Sequence, residues 1–128
     1  MTALVLDSGA VSFLAGQTPR SAAVLRDLRQ EGLWPPLVPT AVLVECLSGN
    51  PGTDAPVNRV LKSCTIRDDL PVSFARRAGC LRTWAQRGSA VDAIVVALAE
   101  PEGAVLTSDL KDLGALAEYA AGVRVVAV

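Results

Sequence analysis

Histidine is absent from the 128-residue chain. That removes imidazole chemistry at one stroke: no Ser-His-Asp or Cys-His relay, no imidazole general base and no His-ligated zinc can be built from these residues. Cysteine is scarce, with Cys46, Cys64 and Cys80 forming an odd number that lacks a CxxC spacing. This argues against a disulfide framework or a zinc ribbon and for small, reduced core residues. Aromatics make up 4% of the chain, so the core must come from Ala, Val and Leu. Neither GxGxxG nor GxxxxGK[ST] occurs, which removes the Gly-rich phosphate loops. No apolar run approaches the ~20 residues of a membrane-spanning helix. The N-terminus has no basic leader, and Asp7 interrupts its apolar stretch, so the expectation is a soluble cytoplasmic protein. An excess of charge is also missing: 12 basic residues face 13 acidic ones, for a net charge of −1, and global electrostatics announce no polyanionic partner.

The composition that is present suits a single domain, residues 1–128, with 51% hydrophobic residues for an ordinary core. Residues 2–6 (TALVL) form a continuous apolar run, as a strand covered on both faces requires. SGAVSFLAG is then a short helix, and Pro19 to Gly32 has the spacing of an amphipathic helix closed by glycine. WPPLVP returns as a short extended piece. Thr40 is placed to cap the next helix, AVLVECLS, which ends at Gly49. NPGTDAP is the strongest turn cluster, followed by a short helix over 55–63. CTIRD reads as a strand, Val72 to Gln86 as a helix, GSAVDAIVVALAE as a helix capped by Ser89, AVLTSD as a strand, DLKDLGALAEYA as a helix and VRVVAV as a last strand. Alternating short strands and helices predict a three-layer α/β/α sandwich on a mainly parallel sheet of four or five short strands. In such a sheet the carboxyl ends of the strands bring functional groups together, and Asp7 and Asp109 both fall there.

Seven basic residues lie between Arg59 and Arg87 against only Asp68 and Asp69, a local balance of +5. A solvated helix face explains such a run; a nucleic-acid track using Arg76, Arg77, Arg82 and Arg87 is the functional alternative. Trp34 and Trp84 read as packing or interface anchors rather than stacking platforms.

Four carboxylates stand in apolar company. Asp7 follows LVL and Asp109 follows AVLTS, and each also has a plain explanation as the N-cap of the helix that follows, with Asp112 the N3 partner of the second cap. Asp92 stands three after Ser89, the capping-box position, although Glu or Gln is the usual occupant there. Glu45 is the only charged residue between Glu31 and Asp54. A helix so apolar on all sides is expected to be buried, and a buried carboxylate needs a partner, either a distant arginine or a cation. On that expectation Glu45→Gln retains or raises thermal stability while losing activity. If the four acids converge on one sheet edge, they repel unless one is protonated or a metal lies between them. Without His or a thiolate cluster, an all-oxygen site suits Mg2+ (or Mn2+), with some acids acting through water, and Thr107 and Ser108 could orient such waters. Phosphodiester hydrolysis is the chemistry this favours, with Asp92 or Asp109 orienting the attacking water and the basic segment holding the strand by its phosphates.

The order LVLDSGAV, PTAVLVECLSG, SAVDAIVVALA, AVLTSDLKDL resembles the PIN-domain nucleases, specifically the small VapC-type toxins of toxin–antitoxin pairs, over nearly the whole chain and least closely across residues 50–88. The resemblance implies a magnesium-dependent endoribonuclease that leaves a 5′ phosphate and a 3′ hydroxyl. Asp7, Glu45, Asp92 and Asp109 match the family's four acids as catalytic and metal-binding residues, Glu45 possibly through water. Asp112 matches an additional acid found in some members, and Thr107 matches the hydroxyl residue before the fourth acid. It further implies a VapB-type antitoxin that occludes the site and a homodimer. A phosphotransfer domain of the haloacid dehalogenase type would want a second Asp two residues after Asp7, where this chain has Gly9. Two other readings stay open: a non-enzymatic module whose acidic pocket receives a partner's basic groups, and a DNA-directed PIN-like nuclease.

Overall fold

A computed structural model describes residues 3–128, and Thr2 of the first predicted strand lies outside them. Five strands and seven helices occur among the described residues: β1 (Leu4–Leu6), α1 (Ser8–Ala15), α2 (Pro19–Gln30), β2 (Leu37–Pro39), α3 (Thr40–Cys46), α4 (Pro51–Leu61), β3 (Thr65–Arg67), α5 (Val72–Ala85), α6 (Ala90–Ala99), β4 (Ala104–Thr107), α7 (Leu110–Ala117) and β5 (Arg124–Ala127). The sheet is parallel throughout, in the order β3-β2-β1-β4-β5. After β1 the chain adds β2 and β3 on one side, then crosses to place β4 and β5 on the other. The ends of β1 and β4 therefore meet at the switch point, where open parallel sheets hold ligands. Their register, Leu6 opposite Leu106, sets Asp7 beside Thr107.

The layers follow from burial. Strands β1 and β4 are buried along their whole length, which is why both read as unbroken apolar runs. Helices α2, α3 and α4 gather around α1, while α5, α6 and α7 pack together with α6 against β1, β2 and β4. The buried apolar residues are all Ala, Val or Leu, as the shortage of aromatics required. Among the described residues no helix is long and apolar enough to cross a membrane.

Three local expectations are corrected. NPGTDAP is no turn: Asn50 caps α4, accepting from the Thr53 N–H at 3.1 Å, and Pro51 takes the first helical position, where its missing N–H is not needed. The segment is further held by Asp54, whose carboxylate accepts from the Ser48 and Gly49 backbone N–H groups and from the Ser48 hydroxyl. Thr40 is the first residue of α3 rather than its cap, since Pro39 precedes it and no side chain caps that helix. The cysteines are free, but Cys80 is exposed and only Cys46 and Cys64 are partly buried, with burial pushing each of those two thiols up to about 11.

Candidate functional site at the switch point

Asp7 leaves β1 in an extended conformation and caps α1, its Oδ1 accepting from the Ala10 N–H at 2.8 Å. Its Oδ2 accepts from the Thr107 hydroxyl at the end of β4. That hydroxyl oxygen in turn accepts from the Asp109 N–H at 2.8 Å, so one threonine joins the first acid to the backbone of the last. Asp7 is 6% exposed and Thr107 is fully buried. Burial raises the Asp7 pKa above its ordinary 3.8, the Thr107 and Ala10 hydrogen bonds oppose this, and the charges of Asp92 and Asp109 raise it further. Asp92 and Asp109 thus both lie within electrostatic reach of Asp7.

Asp92 and Asp109 are also the caps that their sequence positions suggested. Ser89 Oγ accepts from the Asp92 N–H and Asp92 Oδ2 accepts from the Ser89 N–H, both at 3.0 Å. Asp109 Oδ1 accepts from the Asp112 N–H at 3.2 Å. Capping occupies one oxygen of each carboxylate and leaves the other, Oδ1 of Asp92 and Oδ2 of Asp109, without a donor among the described residues. Capping and ligand binding therefore do not compete.

Glu45 is placed differently from its expectation. It is exposed, and so is Val44, at 81%, so α3 is not a buried helix and its glutamate needs no partner to exist as a charge. Its neighbour Cys46 points its thiol at the Ser8 carbonyl, 3.9 Å away, and that thiol feels, after burial, the charges of Glu45 and Asp7. Glu45 is not among the charges that act on Asp7, so the structure does not bring it in with Asp92 and Asp109. Asp112, half-buried, receives the Arg87 Nε at 2.8 Å.

The basic residues divide. Arg77 is committed to Glu100, with Nε and one terminal nitrogen at 2.9 and 2.7 Å, and it also lies over the Trp84 ring. Arg82 reaches the Gly88 carbonyl. Arg76 is exposed with no acidic partner among the described residues. None of the three salt bridges among the described residues involves Asp7, Glu45, Asp92 or Asp109.

Gly9 carries a role that the sequence reading gave it no credit for. A Cβ there would collide with Ser108 Oγ and lie 3.5 Å from Asp7 Oδ1, so glycine admits the Ser108 side chain against the first turn of α1. The available signal was a glycine inside a helix start, where its conformational cost demands a reason.

The donor set is all oxygen and carries no internal counter-charge, as a hard divalent cation requires. Among the described residues no three acidic side chains stand close enough to close on an ion together. The expected convergence of all four acids on one ion is therefore not what this arrangement shows, and direct ligation by more than two of them is not available.

No family model matches the sequence, and no curated protein matches it. In three dimensions the chain is similar to a chain in the crystal structure of VapBC2 from Rickettsia felis bound to a DNA fragment from their promoter, with a TM-score of 0.71 over 98% of each chain at 13% identity. At that identity the likeness is one of fold, and the chain accordingly has the three-layer α/β/α architecture of the PIN-like kind.

Proposed function

We propose that this chain is a divalent-cation-dependent endoribonuclease acting as the VapC-type toxin of a toxin–antitoxin pair. The observation that carries the reading is Asp7, a buried carboxylate with no basic partner among the described residues, its pKa raised first by burial and then by the charges of Asp92 and Asp109 at the switch point of the sheet. The shared fold with a VapBC2 chain supports the same assignment. One or two of Asp7, Asp92 and Asp109 would hold Mg2+ or Mn2+ directly, and the remaining acids, Glu45 among them, would act through water. The cation supplies charge that polarises a phosphoryl oxygen and acidifies water. Thr107 keeps the Asp7 carboxylate turned into the site, and the free oxygen of Asp92 or Asp109 is available to orient a water and accept its proton. Arg76, exposed on the basic helix and without a hydrogen-bonded partner among the described residues, is free to meet the RNA backbone away from the acids. A VapB-type antitoxin and a second copy of the chain are the partners of this reading, and the cytoplasm its setting.

The test is incubation of the purified protein with matched RNA and DNA oligonucleotides, with Mg2+, Mn2+ or chelator. RNA cleavage that chelator abolishes and Asp7→Asn eliminates is the expected result. Cleavage of DNA in preference to RNA would move the assignment to a DNA-directed nuclease. That no three acids are placed to hold an ion together among the described residues is what favours a non-enzymatic module receiving basic groups of a partner, and absence of cleavage under every metal would support that alternative instead.

A further inference from the structure

The loop between α5 and α6, residues 86–89, is fastened at three points. Gly88 has φ +85°, and a Cβ there would come within 2.7 Å of Leu116 on α7. Its carbonyl accepts from Arg82 Nε at 3.4 Å. Arg87 Nε donates to Asp112 Oδ1 at 2.8 Å, crossing from the loop to the first turn of α7. Each end of this ion pair lies close, along the chain or by one hydrogen bond, to a site carboxylate. The Asp112 N–H donates to Asp109 Oδ1, and Ser89, two residues beyond Arg87, exchanges hydrogen bonds with Asp92 in both directions. Asp92 and Asp109 begin different helices and share no hydrogen bond of their own among the described residues.

We propose that Arg87 is a positioning residue: through Asp112 it sets the separation at which Asp92 and Asp109 take a divalent cation, and it withdraws Asp112 from the ligand set. The proposal rests on the metal-site reading given above. Unpaired, Asp112 would add a further negative charge next to Asp109 and leave the 86–89 loop without its tie to α7 through Arg87, held by Gly88 and the Ser89–Asp92 exchange. A guanidinium suits the task because its planar donors impose a direction on the carboxylate, which an ammonium does not. A partly exposed ion pair contributes little to global stability, so its removal leaves the fold in place and its effect falls on the site.

Four variants of the full chain test this: Arg87→Ala, Asp112→Ala, the double variant and Arg87→Lys. Cleavage of an RNA oligonucleotide is measured against Mg2+ concentration and against RNA concentration, and the thermal midpoint is followed while Mn2+ is added. The expected result is a rise of about tenfold in the half-saturating metal concentration for either single alanine variant, the size seen when a group orienting a metal ligand is lost. The double variant should show no more than either single one, since the two residues act as a unit. kcat should recover at saturating metal, the Mn2+-induced thermal shift should weaken in parallel, and Arg87→Lys should restore part of the metal affinity. An unchanged metal curve in Arg87→Ala overturns the proposal. So does a raised KM for RNA with the metal curve intact, which would mark Arg87 as a substrate contact, and so does an effect of Asp112→Ala that Arg87→Ala lacks, which would make Asp112 a ligand. Wild-type protein that neither cleaves RNA nor responds to Mn2+ overturns the metal-site reading along with this one, whereas a wild type that does both and an Arg87→Ala variant that equals it overturns this one alone.

Discussion

Asp7 is under opposing demands. As the cap of α1 it is stabilising, yet burial and two like-charged neighbours make its ionised form costly. Its folded-state pKa lies above 3.8, so the fold favours the protonated form. Its contribution to stability is complete below pH 3.8 and is lost as pH rises through the raised value. Asp7→Asn keeps an oxygen for the Ala10 N–H and removes the charge. The expected outcome in metal-free buffer is a thermal midpoint above wild type at pH 7, with the gap closing on acidification towards pH 3, followed by calorimetry across that range. The same variant is expected to lose RNA cleavage. Glu45 behaves otherwise because it is exposed. Relief of buried repulsion, the reason for expecting Glu45→Gln to be stabilised, does not apply, and its stability should stay within about 0.5 kcal/mol of wild type by denaturant titration. If Glu45 serves the site through water, cleavage falls in this variant without any change in stability.

At the scale of the element, each site aspartate belongs to the start of a helix, and the same geometry that satisfies helix N–H groups aims the carboxylates past the helix ends. The reciprocal pair of Ser89 and Asp92 at the head of α6 is the clearest case. Ser89→Ala removes one half of the box, and the expected cost is about 1 kcal/mol, measured as a shift in the denaturation midpoint at constant m-value. Elements were also where reading along the chain went astray. Proline and glycine in NPGTDAP signalled a turn, but Pro51 is compatible with a first helical position, and the distinction depended on Asp54 gathering the donors of Ser48 and Gly49. The apolar residues of α3 signalled burial, but only Val42 of that helix is fully buried. A stretch of seven residues holds too few turns for hydrophobic periodicity to separate an inner from an outer face.

For the molecule as a whole, net charge is −1, yet the acids at the switch point form a local concentration of negative charge. A cation that binds there only in the folded state stabilises the fold by mass action, by about 2.7 kcal/mol at a hundred times its Kd. Titration with Mg2+ or Mn2+ is therefore expected to raise the thermal midpoint, Na+ at matched ionic strength to leave it nearly unchanged, and Asp7→Asn to abolish most of the rise. Equal stabilisation of wild type and variant would place the ion elsewhere on the protein.

The sequence by itself determined the fold class, the aliphatic core and the order of nearly every element, because continuous apolar strands, amphipathic spacing and capping residues are local properties of a chain. It also placed Asp7 and Asp109 at strand ends and Asp92 in a helix cap. Tertiary structure alone decided that Thr107 joins Asp7 to Asp109, that Gly9 makes room for Ser108, that Glu45 is exposed, and that Arg77 and Arg87 are paired with Glu100 and Asp112. The contacts of Thr107 with Asp7, Arg77 with Glu100 and Arg87 with Asp112 join residues 23 to 100 positions apart. They arise only when the crossover after β1 sets β4 beside it, and no periodicity along the chain encodes which distant side chain will arrive.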